Sequence, residues 1–239
     1  FNTMEQYGAG PARERSRGGL SNPYNEVPHH EAAGPKVGDR IPVDPITGAK
    51  PKKIWEIQLD LTNVTGHKLR YARKPGSRSR AIGTYYPGSG RVMIKWEEDL
   101  DTTAHEMGHA LDDLFGLLGP EAAGVYAELR EELQHLWDYG SKPPKGADKE
   151  AYRMKEGMAE FIRAWLMNPA ETKRRFPSTY NWFKGRVSQD PAVWEALNQF
   201  SRDVREWWGA DAADQVASKL HLGPNASPSP WTSMRVNNT

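Results

Sequence analysis

Cysteine is absent from the 239 residues of this chain. Its absence excludes a disulfide scaffold, a thiolate-ligated zinc site and a cysteine nucleophile. The sequence also lacks a run of about 18 apolar residues, the length that a transmembrane helix needs, and it shows no signal peptide. It opens at Phe1 and not at a methionine, so we expect a piece of a longer polypeptide and leave its localisation open.

Neither sign of charge is in excess, with 32 Lys and Arg against 31 Asp and Glu and a formal net charge of +1. This balance gives no general attraction to nucleic acid. Two segments are locally basic, and the simplest interpretation is a solvated arm and an exposed loop. The alternative is contact with an acidic substrate or a nucleic acid backbone. The basic residues are Arg13, Arg15 and Arg17 in the arm and Lys68, Arg70, Arg73, Lys74, Arg78 and Arg80 in the loop.

Apolar residues are scarce at both ends of the chain. Residues 1–50 are rich in Gly, Pro, Arg and Ser and have no hydrophobic period, which predicts an extended, flexible arm. Residues 223–239 are dominated by Pro, Ser and Asn and predict a flexible tail. The periodic apolar pattern between them predicts one folded domain at residues 51–222.

The pattern inside this domain predicts an α+β fold in which helices follow a small, mostly antiparallel sheet. Ile54, Ile57, Leu59 and Leu61 mark a first core element that is either a helix or a strand. Residues 82–86 and 91–96 flank a Pro-Gly-Ser-Gly turn and predict a β-hairpin. Helical signals follow at 99–115, 121–139, 148–168, 179–187, 191–207 and 210–220.

The run His105-Glu106-Met107-Gly108-His109 lies in the first of these six helical segments. On a helix, residues four apart lie on one face about one turn apart, so the two imidazoles can bind one zinc ion. The intervening Glu106 is then placed as a general base. The alternative is a surface helix with two solvated histidines. An apolar stripe, Ala104, Met107, Ala110, Leu111 and Leu114, argues instead for a half-buried helix.

A catalytic zinc site needs a third protein ligand. A third histidine six residues after the motif is excluded, because Asp112 and Phe115 occupy the positions of the required Gly and His. Glu156 and Glu160 lie one turn apart on a later helix, and the small residues Gly157 and Ala159 would let that helix approach closely. We expect Glu156 to bind the metal and Glu160 to accept a hydrogen bond from a ligand histidine.

Three alternatives to this third ligand stay open. The roles of the two glutamates can be exchanged, both can be surface carboxylates, or His135 can be the ligand. Asp112 and Asp113, at the end of the motif helix, either contact a ligand of the metal or are solvated acids. Val92, Met93 and Ile94 lie in the strand that we expect at the substrate-binding edge of the sheet.

These motifs resemble the active site of the anthrax lethal-factor-like metallopeptidases. The likeness covers roughly residues 90–190 and is carried by the run from His105 to Asp113, by the run from Glu156 to Phe161 with Arg163, and by residues 176–180. The resemblance implies a zincin-like fold and one zinc ion held by His105, His109 and Glu156, with Glu106 as catalytic base. Similar modules occur in large phage and mobile-element proteins, so a phage-encoded or secreted effector is one expected setting.

The resemblance also implies a tyrosine hydroxyl near the oxyanion. Tyr139, followed by Gly140, matches the family's Tyr-Gly pair in type but not in spacing, and Tyr152 is its rival. The expected function is a zinc-dependent endopeptidase that acts on a protein or peptide substrate, with no membrane partner. The alternatives are a non-catalytic binding module of the same fold and a nucleic-acid-associated protease that uses the basic segment 68–80.

Overall fold

The computed structural model describes residues 40–71, 82–96, 99–137, 143 and 145–219. In these ranges the chain forms eight α-helices and a three-stranded sheet, which confirms the predicted α+β class. No helix in this part of the chain has the length and apolar character needed to cross a membrane. The elements are α1 Ile54–Val64, β1 Lys68–Tyr71, β2 Gly83–Tyr86, β3 Arg91–Ile94, α2 Leu100–Phe115, α3 Tyr126–Leu133, α4 Lys149–Met167, α5 Pro169–Arg175, α6 Pro177–Val187, α7 Pro191–Gly209 and α8 Ala212–Lys219.

The sheet has the strand order β1-β3-β2. The predicted hairpin is confirmed, because β2 and β3 pair antiparallel with Gly83 opposite Ile94. Strand β1 pairs parallel with β3, so the sheet is mixed and not mostly antiparallel as predicted. Lys68 and Arg70 therefore lie in a strand and not in the predicted basic loop. The remainder of that basic segment, residues 72–81, lies outside the described residues.

The first core element, which the sequence left undecided, is the helix α1. Ile54, Ile57 and Leu61 are buried at helical spacing, whereas Leu59 is exposed. The helix packs on α7 and contacts α2. Its Gln58 side-chain amide donates a hydrogen bond to the Thr103 hydroxyl at 3.0 Å, which ties α1 to the motif helix.

Helices α2 and α4 form the centre of the domain, and both begin where the sequence predicts. The Asp99 carboxylate accepts the Thr102 N–H at the start of α2, and Asp148 caps α4 in the same way. The two helices touch at Gly108 and Ala159, where a Cβ on Gly108 would lie 2.7 Å from the Ala159 Cα. The predicted close approach of α4 to the motif helix α2 therefore occurs at Ala159.

Two predictions of detail are wrong. Gly157 faces Leu133 of α3 and not α2, since a Cβ on Gly157 would lie 3.0 Å from the Leu133 carbonyl oxygen. The helix predicted at 121–139 is interrupted, because a 3-10 turn at Pro120–Gly124 precedes α3 and glycine is a poor helix former. The predicted end of α4 before Pro169 is confirmed, and the same proline begins α5, which Asn168 caps.

The folded unit begins earlier than the predicted boundary at residue 51. Ile41 and Val43 are buried, and the Asp44 N–H donates to the Met167 carbonyl at the end of α4. The Ile46 N–H donates to the Arg205 carbonyl in α7. Residues 41–46 therefore belong to the packed domain, because their apolar side chains and peptide groups find partners there. The rest of the predicted arm, residues 1–39, and the predicted tail lie outside the described residues.

Candidate metal centre

Helices α2 and α4 bring His105, His109 and Glu156 together. One ligand atom of each residue lies within 4.8 Å of the others. The Glu156 carboxylate faces both rings, with its two oxygens 3.5 Å from His105 Nε2 and 3.8 Å from His109 Nε2. The centroids of the two imidazole rings are 5.1 Å apart, and the ring planes are nearly perpendicular. These three residues could hold a metal ion, and His135 is not part of the group.

The donor set of this group is two imidazole nitrogens and one carboxylate oxygen. All three side chains are partly exposed, at 24%, 19% and 17% for His105, His109 and Glu156. They are therefore buried enough to be held by the helices and open enough for a further molecule to reach them. A site with three protein ligands and an open position is the form that catalytic metal centres take.

Glu160 lies on the other side of the His105 ring. Its Oε2 is 3.3 Å from His105 Nδ1, so the ring can donate a hydrogen bond from Nδ1 to Glu160. This leaves the lone pair on Nε2 to bind a metal. The group that could hold a metal contains Glu156 and not Glu160. The geometry therefore favours the predicted division of roles over the exchanged one.

Glu106 is buried between α2 and strand β2. Its carboxylate accepts a hydrogen bond from the backbone N–H of Tyr85. Gly83 lies against it so closely that a Cβ there would be 2.7 Å from the Glu106 Cγ and 2.5 Å from the Thr102 methyl group. The strand thus holds the carboxylate from one side while the helix presents it beside the two histidines.

Burial and mutual charge shift the titration of every group in this centre. Burial raises the pKa of Glu106 to about 7, partly offset by the nearby His105. Burial alone would lower the pKa of His105, but hydrogen bonds to Glu156 and Glu160 raise it to about 10. Burial and the charge of His105 lower the pKa of His109 to about 4. The two carboxylates therefore favour the protonated form of His105, and burial favours the neutral form of His109.

The predicted substrate edge is wrong. Val92, Met93 and Ile94 form β3, which lies between β1 and β2. Both sides of β3 therefore carry partner strands, and its peptide groups are used within the sheet. The sequence placed it at the edge because β1 was not recognised as a strand.

Strand β2 is the outer strand that lies beside the metal centre. The Lys95 N–H donates to the Ile82 carbonyl at 2.9 Å, which marks one hydrogen-bonded pair with β3. Since such pairs alternate along antiparallel strands, the peptide groups of Gly83 and Tyr85 point away from β3. The bond from the Tyr85 N–H to Glu106 agrees with this direction.

Of the two tyrosines predicted to assist at the oxyanion, the structure describes one. Tyr152 lies in α4 one turn before Glu156, and its hydroxyl donates a hydrogen bond to the Glu156 carboxylate. Tyr139 lies outside the described residues. The structure thus brings Tyr152 to the centre.

The two acids at the end of α2 have other partners. The Asp112 carboxylate accepts the Leu118 N–H at 2.9 Å, so it stabilises the turn after the helix. Asp113 accepts a hydrogen bond from the Tyr85 hydroxyl and lies 3.7 Å from the Lys155 ammonium. Both therefore support the surroundings of the centre and do not orient a histidine ligand.

Several residues that contact the centre have no role predicted from the sequence. Gly83 and Tyr85 contact Glu106, and Arg163 contacts Glu160 at 2.7 Å. A signal was present for Arg163, because an arginine at helical spacing within an apolar stripe needs a buried anion. No comparable local signal marks Gly83.

No protein-family model, curated protein or solved structure matches this chain.

Proposed function

We propose that this protein is a zinc-dependent endopeptidase with a zincin-like catalytic centre. The observation that carries the proposal is the meeting of His105, His109 and Glu156 within 4.8 Å, with the buried Glu106 between the two histidines in sequence. Two imidazoles and one glutamate are a donor set of known catalytic zinc sites in peptidases. When bound there, zinc supplies a Lewis acid that activates water and polarises a carbonyl.

Glu106 is the general base of this proposal. It accepts a proton from the attacking water and later passes it to the leaving amine. A carboxylate with a raised pKa suits both steps, because it must hold the proton between them. The backbone N–H of Tyr85 and the contact with Gly83 keep the carboxylate in place.

Tyr152 is the proposed donor to the oxyanion that forms at the attacked carbonyl. Its hydroxyl already lies at the Glu156 carboxylate, beside a proposed ligand of the metal. A preorganised hydroxyl donor at such a position stabilises the charge that develops during the reaction. Tyr139 is the rival for this role.

The proposed substrate is an extended segment of a protein or peptide that adds to β2. The outward N–H of Gly83 and the outward carbonyl of Tyr85 offer the backbone hydrogen bonds that strand addition uses, while the Tyr85 N–H stays on the Glu106 carboxylate. Such pairing would bring a substrate backbone alongside Glu106. The substrate strand is thus assigned to β2 and not to β3.

A non-catalytic binding module would not need a buried carboxylate beside the metal ligands, so the position of Glu106 favours the enzyme. For the nucleic-acid alternative, the described part of the basic segment contributes Lys68 and Arg70, both exposed on β1. Within the described ranges, no contact links these two side chains to the candidate metal centre.

The test is zinc dependence. Protein treated with a chelator should lose cleavage of a mixed peptide library and regain it with added zinc, and mass spectrometry should find about one zinc per chain. Glu156→Gln should lose most of the zinc, whereas Glu128→Gln, an exposed acid on α3, should keep it. Wild-type protein that binds no zinc, or cleavage that survives complete removal of metal, would refute the proposal.

A further inference from the structure

Behind the metal ligands lies a group of four charged side chains, Arg40, Asp101, Glu160 and Arg163, here called the charged ring. Arg163 is completely buried. Its Nε lies 2.8 Å and its Nη2 2.7 Å from Glu160 Oε1, and its Nη1 lies 2.8 Å from Asp101 Oδ1. Arg163 therefore connects Glu160, on its own helix α4, to Asp101 in the first turn of α2.

Arg40 closes the charged ring from the segment that precedes α1. Its Nη1 lies 3.2 Å from Asp101 Oδ2, and its Nε lies 3.7 Å from Glu160 Oε1. Ile41 and Val43, which follow it, are buried against the domain. The packing of this segment thus fixes the main chain from which Arg40 reaches the carboxylates.

The two oxygens of Glu160 have separate partners. Oε1 accepts from Arg163 and faces Arg40, whereas Oε2 faces His105 Nδ1 at 3.3 Å. A carboxylate held at one oxygen by a planar guanidinium has a defined direction at the other. Asp101 lies one helical turn before His105, so the charged ring also fixes α2 against α4 at the level of that histidine.

We propose that Arg163 and Arg40 are positioning residues of the metal centre. By fixing Glu160, they set the orientation of the His105 ring and with it the affinity and coordination geometry of the bound metal. This inference rests on the proposed function only in that the centre binds zinc. Partners of this kind behind a ligand histidine commonly change metal affinity by about 10- to 100-fold when they are replaced.

A purely structural role is the competing explanation, since Arg40 could simply anchor the segment at 40–46. The chain offers a matched control in the same segment. Asp44 pairs with Arg205 of α7, and neither residue takes part in the ion pairs that form the charged ring. Asp44→Asn therefore weakens the attachment of the segment and leaves Glu160 with all its partners.

The experiment compares Arg40→Gln, Arg40→Lys, Arg163→Gln and Asp44→Asn in the full chain. Zinc affinity is measured by competition with a chelator, coordination geometry by the visible spectrum of the cobalt-substituted protein, and stability by thermal unfolding. We expect Arg163→Gln to weaken zinc binding by about 10- to 100-fold and Arg40→Gln by about 3- to 10-fold. Both should alter the cobalt spectrum, and Arg40→Lys should recover part of the affinity.

Asp44→Asn should lower the unfolding temperature without changing zinc affinity or the cobalt spectrum. The inference is overturned if Arg40→Gln matches wild type in both metal measurements, or if Asp44→Asn changes them equally. Should Arg163→Gln fail to fold, the comparison of Arg40→Gln with Asp44→Asn still decides. Wild-type protein without zinc affinity would instead overturn the proposed function, so the two failures are distinguishable.

Discussion

Gly83 and Glu106 lie against each other across the narrow space between β2 and α2. A Cβ at position 83 would come within 2.7 Å of the Glu106 Cγ, which is closer than two carbon atoms can pack. The absence of a side chain at residue 83 is therefore what allows the outer strand to lie beside the proposed base.

Gly83→Ala should reduce peptide cleavage and leave zinc content unchanged. The added methyl group has to displace Glu106 or push β2 away, and a misplaced base can cost about 100-fold in rate. The measurement is kcat/KM together with zinc per chain. Gly88→Ala is the matched control, because a Cβ there has nothing within 4 Å. Equal activity of the two variants would show that Gly83 does not position Glu106.

Gly108→Ala should destabilise the fold. Its Cβ would lie 2.7 Å from the Ala159 Cα and 2.8 Å from the Ala159 carbonyl oxygen, so the backbones of α2 and α4 have to separate. Overpacking of this kind costs about 1–3 kcal/mol, which exceeds the gain of roughly 1 kcal/mol from removing a helical glycine.

Urea unfolding of the metal-free wild type and of metal-free Gly108→Ala measures this loss of stability. Gly185→Ala in α6 is the control, since its Cβ would lie in open space and should stabilise the protein. A Gly108→Ala variant as stable as wild type would mean that α2 and α4 are not packed as described.

Tyr152→Phe should slow cleavage by about 100-fold without loss of zinc, because one donor to the developing oxyanion is removed while all ligands remain. Steady-state kinetics and metal analysis on the same sample check this. Tyr180→Phe, on α6, should behave like wild type. If Tyr152→Phe cleaves normally, the role passes to Tyr139 or to another group.

The stability of the metal-free protein should fall on acidification. Burial alone would raise the pKa of Glu160, but the charge of Arg163 and the hydrogen bond to His105 outweigh it and lower the pKa from 4.5 to about 2. A depressed pKa means that the carboxylate stabilises the fold above about pH 4.5, and that this contribution is lost as the pH falls toward 2.

Unfolding by urea at several pH values, in the presence of a chelator, measures the slope with pH. In Glu160→Gln the slope below pH 4.5 should decrease by roughly one proton, because the remaining slope comes from other groups such as Glu156. An unchanged slope would contradict the ion pairing described for Glu160.

The grouping of His105, His109 and Glu156 could be predicted because the signals for it are local. Asp99 and Asp148 cap α2 and α4, and the spacing of His105 and His109 on one helix brings both imidazoles to the same face. Helix α4 has its own apolar stripe at helical spacing, and its members are buried: Met154, Met158, Phe161, Ile162 and Trp165. These features need no knowledge of what lies elsewhere in the chain.

The sheet and the charged ring depend on contacts that no local pattern encodes. Leu69 of β1 pairs in register with Val92, and since β1 is short and largely exposed, its sequence resembles a loop. Without β1 as a recognised strand, the sequence predicts β3 at the edge of the sheet. The contact between Asp101 and Arg163 likewise joins two helices that are far apart in sequence. The local sequence around Asp101 predicts only a helix cap, because it carries no information about Arg163.

The most direct test of the account is the comparison of wild type with Glu106→Gln at equal zinc occupancy, with cleavage products of a peptide library identified by mass spectrometry. The proposed mechanism predicts zinc-dependent endoproteolytic products from wild type and a rate at least about 100-fold lower for the variant, since general-base catalysis contributes that much. Products formed at the same rate by both proteins would contradict the role of Glu106 and the peptidase mechanism built on it.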